Sequence, residues 1–245
     1  MKKVITLVTI FALLNADLDG NSAPLQQLAD GRAKDVAFAS LSHYPSPTDD
    51  TTAIRKDPSF IYGDSSTRLI ESKYKTAVGR LSRQAAAIKQ YARANRFNTE
   101  YCFLVDMSIP SGKKRFFIYN LKKDSIENSS LVAHGWGSFQ PDSDQLQFSN
   151  TPNSCQTSLG KYKIGYSYMG SFGLAYKLYG LDKTNSKAFE RAIVLHSLDQ
   201  VPDSETYPED ICNSAGCPMV SPSFLAILSG YITSSRKPVL LWIYN

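Results

Sequence analysis

The sequence predicts a mainly β protein with a few helices, and three patterns support this. From Tyr101 onward, short runs rich in β-branched and aromatic residues alternate with Gly, Pro, Asn and Ser, as strands joined by turns do. Before them, apolar residues recur every three or four positions, which predicts one amphipathic helix. Near the C terminus, Ser221 and Pro222 precede an apolar run and predict the start of a second helix.

These patterns place the elements along the chain. A helical segment is expected over 67–97, packing on the following domain (98–245) through residues such as Leu81, Ala85 and Ile88. The late helix begins after Ser221 and presents an apolar face from Phe224 to Ile232. Candidate strands cover 101–107, 114–120, 129–134, 160–166, 191–196 and 238–244.

The first 16 residues have the pattern of an export signal. Lys2 and Lys3 precede an apolar run, and Leu14-Asn15-Ala16 resembles a cleavage site. A buried element of the mature fold is the alternative. Residues 17–66 are rich in Ser, Asp, Pro and Gly, which predicts a linker or loosely packed arm. We therefore expect an exported protein of the periplasm or cell envelope.

The charge balance argues against some partners. A formal net charge of +5 is mild, and the basic residues form no long cluster and no basic–aromatic stripe, so nucleic acid binding is not expected. No run reaches about 18 apolar residues, so no stable membrane insertion is expected once the signal is removed. The charge suits an anionic partner.

The chain has four cysteines, and they invite different interpretations. Cys102 lies in an apolar run and is expected to be a small buried hydrophobe. Cys155 and Cys212 would be the pair if a disulfide forms in an exported protein. Zinc is disfavoured because Cys212 and Cys217 have no nearby histidine in sequence. No metal or organic cofactor is indicated.

The segment Ser214-Ala215-Gly216-Cys217, read with His196 at the end of an earlier apolar run, suggests a thiolate enzyme. A thiolate is the nucleophile in such enzymes, and a nearby imidazole generates it. Gly216 lets backbone approach closely, and N–H groups near Gly216 and Cys217 suit an oxyanion. A buried cysteine in a tight turn and a core histidine are the alternatives.

Seventeen residues separate His196 from Ser214. This H-x17-S-A-G-C pattern resembles the signature of the L,D-transpeptidases, the cysteine enzymes that cross-link peptidoglycan. Four further blocks resemble the YkuD type 2 branch of that family, in the order 115–138, 148–165, 179–197 and 214–222. The resemblance covers roughly 98–245. It implies an L,D-transpeptidase-like β-sandwich catalytic domain with the active site at one end.

Two departures and several residue roles follow from the resemblance. The family usually has His where Ala215 stands, and Arg or Asn soon after the cysteine, where Pro218 and Met219 stand. It implies Cys217 as nucleophile, His196 as base, Ser214 as a residue that shapes the loop, and the Ser197 carbonyl as the group that orients the imidazole. Candidate substrate-binding residues are His134, Arg191 and Asn185, with a structural role as the alternative for His134.

The resemblance implies transpeptidation on peptidoglycan stem peptides. An L,D-carboxypeptidase or a hydrolase that cleaves cross-links or anchors would use the same Cys–His site. A non-catalytic wall-binding protein is a third possibility, and Ala215 is its best argument. The acceptor amine and the oligomeric state stay open at this stage.

Overall fold

The computed structural model describes residues 65–245 apart from 142 and 144. The predicted export signal (1–16) and nearly all of the predicted arm (17–66) lie outside the described residues. The described chain contains helices α1 (Ser65–Ala94) and α2 (Pro222–Ser234), two short 3₁₀ helices (Trp136–Ser138 and Lys183–Asn185), and eight strands: β1 (Tyr101–Asp106), β2 (Phe116–Asn120), β3 (Ser125–Ser130), β4 (Gly160–Gly170), β5 (Gly173–Gly180), β6 (Val194–Ser197), β7 (Met219–Val220) and β8 (Leu240–Tyr244).

The eight strands form one sheet in the order β3-β2-β1-β8-β4-β5-β6-β7. All pairings are antiparallel except β1 with β8 and β6 with β7. Beyond β3, Ala133 pairs with Met219 of β7, and Gly135 pairs with Ser214. The chain leaving one edge strand therefore reaches the other edge strand and closes the sheet around its core. The predicted mainly β class is confirmed.

Alternation along the strands buries both faces of the sheet. In β1, Phe103 and Val105 join the inner core, which α2 completes with residues such as Leu228. Cys102 and Leu104 point to the opposite face and pack in the cluster covered by α1. Side chains alternate across a strand, so one short apolar run supplies two cores. The prediction that Cys102 is a buried hydrophobe is confirmed, since it is fully buried.

Helix α1 corresponds to the helical segment predicted over 67–97. Its buried stripe contains Leu81, Ala85 and Ile88, as the three-to-four residue spacing requires. The helix ends at Ala94, and the Phe97 N–H then bonds back to the Ala92 carbonyl at 3.0 Å. Neither α1 nor α2 combines the length and apolar character needed to cross a membrane.

Helix α2 begins as predicted. The Ser221 hydroxyl accepts a hydrogen bond from the Phe224 N–H, and Pro222 occupies the first helical position, where a missing N–H costs nothing. The helix then buries Phe224, Leu225 and Leu228 against the sheet.

The strand predicted over 191–196 is shorter than expected. Residues 191–193 form the end of a helix-like turn, in which the Ile193 N–H bonds to the Ala188 carbonyl at 2.9 Å. Ala192 has a positive φ of 54°, the left-handed conformation that commonly ends such turns. The strand starts only at Val194, once the chain has left this turn.

Other strands differ from the prediction for related reasons. The strand predicted over 129–134 lies earlier, as β3. Its residues are mostly polar, so they give no apolar strand pattern in the sequence. Strand β5 was not predicted, because glycines bound it and lysine and tyrosine interrupt its apolar pattern. Strand β7 has only two residues and carries no pattern of its own.

The candidate disulfide between Cys155 and Cys212 is not formed, and all four cysteines are free. The two sulfurs have different surroundings. The Cys155 sulfur lies 3.8 Å from the Asn153 carbonyl oxygen in its own loop, whereas Cys212 packs beside a small cluster that contains Ile211 and Met219.

Candidate active site

The turn Ser214–Cys217 is held by the Ser214 hydroxyl. This group donates to the Cys217 carbonyl at 2.6 Å and accepts from the Gly216 N–H at 3.1 Å, so it bridges both sides of the turn. The Ser214 backbone is fixed as well, since its N–H donates to the His134 carbonyl at 2.9 Å. Ser214 therefore shapes the loop, and both of these hydrogen-bond partners of its hydroxyl are backbone groups.

Gly216 has a positive φ of 115°, which strains any residue with a Cβ. A Cβ here would lie 2.8 Å from the Gln156 carbonyl oxygen and 3.3 Å from the Arg191 guanidinium. The turn thus lies directly against a second segment of chain, and only glycine fits between them.

The Cys217 thiol lies beside the start of strand β6. Its sulfur accepts from the Val194 N–H at 3.5 Å and is 3.9 Å from the Ala192 carbonyl oxygen, toward which the S–H can donate. Burial raises the pKa of the thiol, while the Val194 N–H and the positive charges of Arg191 and Lys177 lower it. The net shift is upward, so the resting group is a neutral thiol.

His196 lies on strand β6 next to the turn. It pairs with Met219, two residues beyond Cys217, in the parallel ladder between β6 and β7. Its Nδ1 is 3.1 Å from the Ser197 carbonyl oxygen. A carbonyl only accepts, so Nδ1 carries the proton and Nε2 presents a lone pair. Burial lowers the pKa of His196, which keeps the imidazole neutral.

Phe172 covers one face of the His196 imidazole. The two rings stack with centroids 5.1 Å apart and planes 27° apart. Phe172 lies in the turn between β4 and β5 and is 62% exposed. One face of its ring covers the His196 imidazole, and the other face is open to solvent. Sequence analysis missed this residue because nothing local links position 172 to position 196.

The His134 imidazole is held by the buried side chain of Arg115. Its Nδ1 lies 2.9 Å from an Arg115 nitrogen, and arginine is only a donor, so Nδ1 accepts and Nε2 carries the proton. Burial, reinforced by the positive charge of Arg115, lowers the pKa of His134 to about 4. Arg115 also donates to the Val132 and Ile109 carbonyls. Sequence analysis missed Arg115, whose only signal was its position in the block 115–138.

Arg191 uses its guanidinium within the protein. It donates to the Ser149 carbonyl at 2.7 Å and to the Gln156 carbonyl at 2.6 Å, and also contacts the Ser154 hydroxyl. These bonds fasten the loop 149–156 behind Gly216. Arg191 thus lies beside the candidate nucleophile, but most of its donors are already engaged.

Asn185 is fully buried in the short 3₁₀ helix. Its amide donates to the Lys161 carbonyl at 2.8 Å and accepts from the Asp182 N–H at 2.9 Å. The Asn185 amide is therefore buried and already bonded, which does not favour the predicted contact with substrate. These bonds instead hold the start of β4 against the loop after β5.

The Cys217 backbone N–H is a donor that lies next to the thiol. The Gly216 N–H is taken by Ser214, whereas the Cys217 N–H makes no hydrogen bond to the part of the chain that the structure describes. An oxyanion formed beside the sulfur would find this N–H next to it. Within the described residues, no group of three His, Cys, Asp or Glu side chains could hold a metal ion.

Comparison with known proteins gives a family and distant structural relatives. The model of the L,D-transpeptidase catalytic domain family YkuD_2 matches residues 72–244. No curated protein matches the chain. Among solved structures, the helical cell shape determining protein Pgp2 from Campylobacter jejuni is 13% identical, with 59% of this chain and 47% of that chain covered and a TM-score of 0.39. Bd1075 from Bdellovibrio bacteriovorus is 18% identical, with 60% and 49% covered and a TM-score of 0.37.

An L,D-transpeptidase fragment from Xylanimonas cellulosilytica is 12% identical, with 63% and 68% covered and a TM-score of 0.33. The chain spans about half the length of the first two of these relatives. The family match covers all eight strands and the whole candidate site, and it begins within α1, earlier than the resemblance at 98 suggested. The chain belongs to the L,D-transpeptidase catalytic domain family YkuD_2.

Proposed function

We propose that this protein is a cysteine L,D-transpeptidase that acylates itself on a tetrapeptide stem of peptidoglycan and transfers the acyl group to an amine. The observation that supports the proposal is that strand β6 holds the Cys217 thiol through the Val194 N–H and carries the His196 imidazole two residues further along. Cys217 lies in a turn beside strand β6, and His196 on that strand has its Nδ1–H on the Ser197 carbonyl. Its Nε2 is therefore the basic nitrogen.

The first half-reaction forms a thioester. The thiol proton passes to His196 Nε2 as the sulfur attacks the carbonyl carbon of the residue before the terminal D-residue. The oxyanion accepts from the Cys217 N–H. The carbon–nitrogen bond then breaks, and the imidazolium gives its proton to the departing amine of the D-residue. The Cys217 sulfur now carries the acyl group.

The second half-reaction reverses this order with a different amine. An amine of another stem attacks the thioester carbonyl and loses a proton to His196. The carbon–sulfur bond breaks, the thiol regains a proton, and a new amide joins the two stems. If water attacks instead, the product is a free carboxylic acid, which is the hydrolase alternative.

The remaining residues have supporting roles in this proposal. Ser214 holds the turn, Gly216 allows its close approach, and the Ser197 carbonyl orients the imidazole. Arg191 and Asn185 position the loops around the site rather than binding substrate through free donors. His134 presents a protonated Nε2, which suits a contact with a substrate carbonyl.

The test uses a disaccharide-tetrapeptide with an amine acceptor, with products identified by mass. Cys217→Ala and Cys217→Ser are expected to abolish turnover while the thermal unfolding midpoint stays close to that of the native protein. Cys102→Ala is the matched control, since that thiol is buried away from the site. Turnover by Cys217→Ala would contradict the mechanism.

The same assay separates the transferase from the hydrolase. A cross-linked dimer or an exchanged terminal residue indicates transfer, and a free tripeptide stem indicates hydrolysis. Access to peptidoglycan requires export, so we also propose that the chain is exported and that its first 16 or so residues are removed. Sequencing the N terminus of protein recovered from the cell envelope tests this.

A further inference from the structure

Lys177 is a cation near the candidate nucleophile, and it has no counter-ion among the described residues. It lies on β5 and is only partly exposed. Its Nζ lies 4.6 Å from the centroid of the Tyr168 ring and 5.9 Å from that of Phe189. Four ion pairs join side chains of the described residues, and none of them includes Lys177. The ammonium group is thus oriented by two aromatic faces and has no carboxylate within 4.0 Å among those residues.

The strand register brings Lys177 close to the thiol. Lys177 pairs with Val194 on β6, and the Val194 N–H is the group that donates to the Cys217 sulfur. Neighbouring strands lie about 4.8 Å apart, and β6 lies between Lys177 and Cys217. The backbones at these two residues are therefore about 10 Å apart. A four-carbon side chain spans much of that distance. The positive charge of Lys177 also lowers the pKa of the Cys217 thiol, which agrees with this proximity.

We propose that Lys177 is a specificity-determining residue that binds the α-carboxylate of the terminal D-residue of the donor stem. The inference rests on the proposed function. In the leaving residue, the carboxylate is attached to the carbon that carries the departing nitrogen, so it lies within about 4 Å of the carbonyl under attack. A partly desolvated lysine that has no acidic partner in the described part of the chain suits such an anion.

The second lysine–tyrosine pair on this sheet provides a matched control. Lys163 on β4 lies over the Tyr179 ring, 4.5 Å from its centroid, and also has no ion-pair partner among the described residues. Lys163 has the same chemistry and the same kind of ring contact as Lys177. Unlike Lys177, it does not face the strand that contacts the sulfur.

The first experiment needs no turnover. Cys217 of the full chain is alkylated with iodoacetate and, separately, with iodoacetamide, and the rates are measured by mass spectrometry of the Cys217 peptide. A change in thiol pKa alters both rates together, so the ratio of the iodoacetate rate to the iodoacetamide rate removes that effect and reports how strongly the site attracts a carboxylate. Lys177→Met should lower this ratio about tenfold, the range of a lost charge-assisted hydrogen bond.

Two further variants complete this experiment. Lys177→Arg should keep the ratio within about threefold of the native value, since the charge is retained, and Lys163→Met should leave it unchanged. Thermal unfolding identifies a variant that does not fold, and Lys177→Gln then replaces Lys177→Met. An unchanged ratio in Lys177→Met overturns the inference. An equal fall in Lys163→Met also overturns it, because it would indicate a general surface field.

The second experiment compares stems that end in a free carboxylate or a carboxamide. Lys177→Met should raise KM for the carboxylate stem about tenfold and change KM for the carboxamide stem less than twofold. If the native protein turns over neither stem, the proposed function fails, while the alkylation ratio still decides on the anion site. If the native protein turns over both stems and Lys177→Met shifts both equally, only the inference about Lys177 fails.

Discussion

The strongest test of the proposed site is the pH dependence of Cys217 alkylation. Burial raises the pKa of Cys217 above its ordinary value of 9.0 and lowers that of His196 below 6.5. These shifts work against a thiolate–imidazolium pair, because each favours the neutral form of its group. In the proposed mechanism the resting thiol and the resting imidazole are therefore both neutral, and the histidine acts as a base only during attack.

The direction of the Cys217 pKa shift determines how steeply the alkylation rate should depend on pH. A thiol with a pKa of 9.0 is about 1% thiolate at pH 7, and a higher pKa makes the fraction smaller. The rate of alkylation by iodoacetamide should therefore rise about tenfold per pH unit between pH 7 and 9, with no plateau in the acidic range. The measurement is the rate of loss of the free Cys217 peptide from pH 5 to pH 10.

Replacing His196 separates this mechanism from the ion-pair alternative. His196→Ala should slow acylation by tetrapeptide about a hundredfold or more, the usual contribution of a positioned base. It should reduce alkylation by iodoacetamide far less, because a small reagent is attacked by the thiolate already present. A native rate that stays flat from pH 5 to 8, and loses this plateau in His196→Ala, would refute the neutral-pair argument.

Three further predictions concern stability and positioning. The pKa of His134 falls to about 4 on folding, so its contribution to the free energy of unfolding is present above pH 6.5 and is lost as pH falls toward 4, by up to about 3 kcal/mol. His134→Gln should remove this part of the pH dependence, measured by urea unfolding at pH 7 and 4.5. Arg191→Met should lower the free energy of unfolding by about 2–4 kcal/mol and move the alkylation profile of Cys217 to higher pH; an unmoved profile would make Arg191 purely structural. Ser221→Ala should cost about 1 kcal/mol in urea unfolding through loss of the α2 cap, against little change for Ser234→Ala.

The parts of the molecule predicted from sequence are those with local signals. The cap of α2 and the buried stripe of α1 depend on residues within a few positions of each other. The turn at Gly216 is equally local, because its hydrogen bonds join Ser214 to Gly216 and Cys217, within four consecutive residues. Such features are determined by backbone conformation and hydrogen bonds over one or two turns of chain.

The contacts that sequence reasoning missed join distant segments. Arg115 meets His134 because β2 lies beside the chain that leaves β3, and Phe172 meets His196 because β5 pairs with β6. Lys177 reaches the site through the same pairing. Register across the sheet determines these neighbours, and a single sequence contains no direct record of register.

The position of Ala215 can be understood from the way the turn is held. Ser214 and Gly216 make the hydrogen bonds within the turn, and the Ala215 side chain is exposed and takes part in none of them. The hydrogen bonds that place Cys217 therefore do not depend on the side chain at position 215. The departure from the family signature therefore removes a side chain from the surface of the site without removing the support of the nucleophile. The hydrogen bonds that hold Cys217 do not require a histidine at position 215, so Ala215 alone is a weak argument for a non-catalytic protein.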